Sequence, residues 1–151
     1  MQTEADPSLL VHDPDALREI LLAARTIAVI GLSASHTRPS HGVASYLKAH
    51  GYRIIPVNPH ESEVLGERAY PTLREVPPEV TIDLVDVFRR PQEVMPHIEE
   101  AIARAGVRCV WLQDGVINWA AARRAHAAGL KVVMDDCTLR RHQQLVGQPV
   151  R

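Results

Sequence analysis

The sequence predicts an α/β chain built in three layers, a doubly wound and mostly parallel sheet of five strands in the order 3-2-1-4-5 with helices on both faces. Three observations predict it. Five short apolar runs rich in β-branched residues alternate with stretches whose apolar residues recur at helical spacing. Gly51, Gly106 and Gly129 each follow such a stretch, where a helix ends in left-handed backbone. A length of 151 residues suits one domain over 1–151, large enough to bury this core and too small for a second catalytic domain.

The elements follow in order. In "DPDALREILLAA" Asp13 can cap, Pro14 suits the first helical position, and Leu17, Ile20, Leu21 and Ala24 make one face, which predicts a helix over 13–24. The core then runs over 26–145, with the five strands in "TIAVIGL", "YRIIPV", "TIDLVDVF", "VRCVWLQ" and "LKVVMDD". Helical faces lie between them: Val43, Tyr46, Leu47 and His50 after the first; Val94, Met95, Ile98, Ile102 and Ala105 after the third; Trp119, Ala122, Ala125 and Ala128 after the fourth. The proline-rich stretch from Pro56 to Pro78 reads as a loop with one helical turn at "TLREV". Arg140 and Arg141 read as part of a tail.

Ligands of such sheets bind outside the carboxyl ends of the strands, so the strand exits carry the functional argument. The first exit, "GLSASHTRPSHG", has one glycine, Gly31, where a dinucleotide fingerprint wants three. Loop N–H groups, hydroxyls and the guanidinium of Arg38 can replace close backbone approach to a phosphate, while Ser33, Ser35, Thr37 and Ser40 can equally be ordinary capping residues. The second strand ends Val57-Asn58-Pro59-His60, without the carboxylate that holds the ribose diol of NAD, which favours a ligand with a phosphorylated ribose. Glu61 and Glu63 lie beyond it and read as solvated. Of the arginine pairs, Arg89-Arg90 stands at an exit, and Arg123-Arg124 reads as a solvated helix face.

Composition excludes other classes. The 17 basic and 18 acidic residues leave a net charge of −1, with no general field for nucleic acid or an anionic membrane. Cys109 and Cys137 form no CxxC pair and no zinc spacing, so no metal site and no disulfide framework are expected. The N-terminus is acidic and no run approaches a membrane span, which predicts a cytoplasmic protein. Cys109 reads as core, Cys137 as a thiol at a strand exit, and Trp111 and Trp119 as structural.

Taken together, "IAVIGLSxxxxRPSxGVxxYLxxxGYRIIPVNP", "LGE", "DLVDVFRR" and "VWLQxGV" resemble the small CoA-binding-domain proteins, a Rossmann-like family similar to the CoA-binding domain of the succinyl-CoA synthetase alpha subunit. The likeness runs from about Thr26 to Leu145. It implies that Gly31, Ser33, Arg38 and Ser40 hold a pyrophosphate, and that Asn58 and Pro59 line the nucleotide side. It also implies that Val87, Phe88 and Arg89 flank adenosine, and that Gln113 and Gly115 meet the ligand from the fourth strand. Phe88 packs against adenine or closes the core. The chain departs from the family near its end, reading Asp135-Asp136-Cys137 and Arg141-His142 where relatives commonly read Asp-Arg-Cys and Glu-His.

These readings lead to a binding module for coenzyme A or acyl-CoA, a carrier, sensor or accessory subunit with no catalytic residues of its own. The alternatives are an NADP-type dinucleotide module, or a partner-dependent acyl-CoA ligase or thiol-exchange component. A protein partner or a homodimer is left open by the helical face of Ala121, Ala125 and Ala128.

Overall fold

The computed structural model describes residues 4–151; of the acidic N-terminal segment, Met1, Gln2 and Thr3 lie outside the described residues. Helix α1, Pro14–Ala23, opens on the Asp13 carboxylate, which accepts the Ala16 N–H at 3.0 Å, with Pro14 at its first turn. Strand β1, Thr26–Ile30, is buried along its whole length and leads through the loop to α2, Pro39–Ala49, and then to β2, Arg53–Val57. A short antiparallel pair, β3 at Glu63–Val64 and β4 at Glu67–Arg68, stands in the stretch that reads as loop, and the expected helical turn is present at Leu73–Glu75. The rest is β5, Leu84–Val87; α3, Met95–Ala103; β6, Cys109–Leu112; α4, Trp119–Ala127; β7, Lys131–Val133; and α5, Thr138–Leu145.

The main sheet is parallel throughout and its order is β2-β1-β5-β6-β7. The α/β doubly wound class is as the sequence predicts, whereas the strand order is corrected. Counting the five strands in chain order, the third lies beside the first, on the side away from the second, giving 2-1-3-4-5 in place of 3-2-1-4-5. Pro56 supplies the reason. Pro56 O accepts the Tyr70 N–H at 3.0 Å and Asn58 N–H donates to Tyr70 O at 2.9 Å, so this set of β2 groups faces away from β1. The amide hydrogen that Pro56 lacks would face the same way, and a proline there suits a strand with no full neighbour on that side. At the opposite margin Val11 N–H donates to Val132 O at 2.8 Å.

Side chains alternate along each strand and build two cores. Ala28, Ile30, Val85, Val87, Val110 and Leu112 face α3 and α4; Ile27, Val29, Leu84, Cys109 and Trp111 face α1, α2 and α5. The tail carrying Arg140 and Arg141 is therefore a helix, held to the second core by Leu139 and Leu145, with His142 fully buried. Ala121 and Ala125 are fully buried against the first core while Ala128 is exposed, so two of the three alanines left open for dimerisation are covered by this chain's own sheet. Among the described residues no helix is long and apolar enough to cross a membrane.

Candidate functional site

The corrected order brings the first and third exits together. Phe88 N–H donates to Ile30 O at 2.8 Å, directly before Gly31. Gly31 has φ +84°, and a Cβ there would collide with the Phe88 carbonyl oxygen, so only glycine lets the two exits approach this closely. Arg89 and Arg38 consequently line one cleft.

That loop is ordered by its own hydroxyls. Ser33 N–H donates to Ser40 Oγ at 3.0 Å, Ser35 N–H to Ser33 Oγ at 3.0 Å, and Ser35 Oγ lies 2.8 Å from Thr37 Oγ1. Ala34 N–H donates to Glu61 Oε2 at 2.6 Å, so the carboxylate expected to be solvated instead reaches back to the first exit. No side chain caps α2, whose first turn Arg38 and Pro39 begin. Asn58 pins the second exit to the first: its Nδ2 donates to Leu32 O at 3.0 Å and its Oδ1 accepts the His60 N–H at 3.0 Å. Its signal in the sequence is the polar residue itself, and its amide is spent on scaffolding.

Between these exits lies a cleft of about 390 Å³ whose lining includes Gly31, Ser33, Arg38, Ser40, Asn58, Phe88 and Arg89, together with Pro39, His60 and Glu61. Of the residues singled out in the sequence, Pro59, Val87, Gln113 and Gly115 are outside this lining. Pro59 is exposed beside Asn58, and Val87 is fully buried in the first core. Arg90 is exposed and pairs with Glu93 at 2.8 Å. Arg89 Nε is buried without a hydrogen-bond partner among the described residues, and neither Arg38 nor Arg89 takes part in an ion pair there. Two guanidinium groups left for an external acceptor make the cleft suited to a phosphate. A larger cleft, about 950 Å³, runs between α3 and the 72–78 loop, away from the strand exits. Glu75, Glu99 and Glu100 line it together with Arg74, and Arg104 there is committed to the carbonyls of Leu73, Val76, Pro77 and Val80.

The fourth and fifth exits are bound to each other. Gln113 Nε2 donates to Asp86 Oδ1 at 2.6 Å and to Thr138 Oγ1 at 2.9 Å, and Thr138 donates to Asp86 Oδ2 at 3.1 Å. Burial raises the Asp86 carboxyl to about 7 against these donors, which favour its ionised form. Gly115 N–H donates to Asp135 Oδ1 at 2.8 Å, with Asp135 at φ +58°. Arg140 holds Asp114 by two bonds of 2.8 and 2.9 Å and also reaches Asp136, which pairs with Arg141. The Arg140 hydrogen bond lowers the Asp114 carboxyl. Burial raises the thiols of both Cys137, half-buried, and Cys109, which lies in the core.

Residues 25–143 match the sequence profile of the family described as the CoA binding domain. The chain belongs to the CoA-binding domain family. It is 39% identical over 121 residues to the uncharacterized protein YneT of Bacillus subtilis, covering 80% of this chain and 87% of that one. It superposes on the solved structure of a hypothetical protein from Pyrococcus horikoshii OT3 with TM-score 0.87 and 37% identity, covering 97% of this chain and all of the other (100%). It is also 29% identical over 90 residues to the ADP-forming acetate–CoA ligase II of Archaeoglobus fulgidus, 58% of this chain but 13% of that enzyme.

Proposed function

We propose that this CoA-binding domain protein binds coenzyme A or acyl-CoA in the cleft at the first, second and third strand exits, as a carrier, sensor or accessory component. The observation that carries the reading is the convergence of Arg38 and Arg89 on one cleft, with Arg89 Nε buried and unpartnered. In this reading Gly31, Ser33, Arg38 and Ser40 receive the pyrophosphate, Asn58 and Pro59 bound the nucleotide side, and Phe88 and Arg89 flank adenosine. Val87 serves from beneath by fixing Phe88. Gln113 and Gly115 approach the ligand less directly, because the Gln113 amide and the Gly115 N–H already have internal acceptors.

Catalysis is assigned to no residue of this chain. Nucleophilic chemistry requires a nucleophile activated by a base within hydrogen-bond reach. Burial disfavours the Cys137 thiolate, and Asp114, the acid nearest the fourth exit, is held by Arg140. Acyl transfer would then depend on a partner chain. Calorimetric titration with CoA, dephospho-CoA, NADP and NAD in parallel tests the proposal. Tightest binding of CoA, with dephospho-CoA weaker, supports it; tighter binding of NADP than of CoA overturns it in favour of a dinucleotide module.

A further inference from the structure

The turn after β2 carries a carboxylate into the cleft. Glu61 N–H donates to Asn58 O at 3.2 Å, and His60 N–H donates to Asn58 Oδ1, so the backbone that places Glu61 is held by Asn58 on one side and stiffened by Pro59. From there Glu61 Oε2 accepts the Ala34 N–H at 2.6 Å, a short, charge-assisted bond. Glu61 also lines the cleft with Arg38 and Arg89, yet it forms an ion pair with neither among the described residues. Around it the loop N–H groups of Ser33 and Ser35 are given to neutral hydroxyls. The Ala34 N–H is given to a charge. An oxyanion held by a loop N–H beside a helix start is the arrangement by which proteins hold phosphate oxygens, and here the protein's own side chain fills that role.

We infer that Glu61 is a displaceable internal anion that competes with the ligand's phosphate for the first-exit loop and thereby sets how tightly a phosphate ester is held. The inference rests on reading the cleft as the CoA phosphate site. Exchange needs only rotation of the Glu61 side chain, since Asn58 keeps the turn in place. An arriving pyrophosphate takes up the Ala34 N–H and the two guanidinium groups, and the carboxylate swings out to water. While the carboxylate stays, it repels the ligand; once the ligand leaves, it satisfies the loop.

The test is calorimetric titration of wild type, Glu61→Gln, Glu61→Ala and Glu63→Gln with CoA and with inorganic pyrophosphate at one ionic strength. Glu63 is exposed and outside the cleft lining, so its substitution makes the same change in net charge without touching the loop. Both Glu61 variants are expected to bind each ligand roughly tenfold tighter, the scale of one like-charge contact near the surface, with Glu63→Gln unchanged. Equal or weaker binding by the Glu61 variants, or the same gain in Glu63→Gln, overturns the inference. If wild type binds CoA and the Glu61 substitutions leave it unchanged, the CoA reading stands and this inference falls. If none of the proteins binds CoA while the Glu61 variants gain affinity for pyrophosphate, the CoA reading falls and the exchange stands. If neither ligand binds any of the four, both fall.

Discussion

Replacing Asp86 by asparagine removes a titration that the fold opposes. The carboxyl is fully buried beneath the third exit, with Gln113 and Thr138 as its hydrogen-bond donors, and it is raised from 3.8 to about 7. A carboxyl raised in the folded state contributes stability that is fully present below its unfolded value near 4 and is lost as pH rises through 7. At 1.36 kcal/mol for each unit, the whole displacement is worth about 4 kcal/mol, of which about 2–3 kcal/mol falls between pH 5 and 8. His97 and His142 are lowered by burial and act with the opposite sign, losing stability as pH falls, so the wild-type profile alone mixes these slopes. The difference between wild type and Asp86→Asn isolates the carboxyl, because asparagine keeps an acceptor toward Gln113 and can donate to Thr138 Oγ1. Urea unfolding followed through the fluorescence of buried Trp111, at pH 5, 6, 7 and 8, measures it. The stability of wild type relative to the variant should fall by about 2–3 kcal/mol across that range. A difference constant to within about 0.5 kcal/mol would refute a carboxyl displaced by burial.

Three further outcomes are expected. Arg38→Ala and Arg89→Ala should each weaken CoA binding by about 1.5–3 kcal/mol and flatten its salt dependence; titrations at two ionic strengths with wild-type slopes would remove that arginine from the phosphate site. Gly31→Ala should destabilise the fold by about 1–3 kcal/mol, through its positive φ and the collision with the Phe88 carbonyl, and lower CoA affinity with it. An unchanged thermal midpoint would contradict the close approach of the two exits. Cys137→Ser should keep CoA binding, and the wild-type protein should not hydrolyse acetyl-CoA or succinyl-CoA above the buffer rate; hydrolysis abolished by that substitution would move catalysis onto this chain.

The fold class is legible because the strands are short β-branched runs and Gly51, Gly106 and Gly129 follow α2, α3 and α4, signals that act locally. Strand order is a property of pairing, which local runs do not encode, and its one signal in the sequence is Pro56, which suits a margin strand. Helix α5 is hard to read because its Leu139, His142 and Leu145 spacing sits among arginines, so its apolar face is short and broken by charge. At the site, Gly31, Arg38 and Arg89 could be found from their places at strand exits. Glu61 could not, since its contact with Ala34 spans 27 residues and depends on a turn that Asn58 holds. Asn58 stands out by its position, but its amide joins two exits, a use that polarity alone does not reveal.

The hydrogen bonds at the two margins of the sheet bear on how copies of this protein can meet. Parallel strands with free edge amides and carbonyls offer templates for an intruding strand, the route to runaway β-assembly. Here Tyr70 takes up edge groups of β2, with Pro56 lacking the donor next to them, and Val11 takes up a carbonyl of β7. Each edge is thus blunted by a different part of the same chain, which turns association away from backbone pairing and toward side-chain surfaces. Any stable assembly would then be built through helices and loops, leaving the strand exits free to meet a ligand.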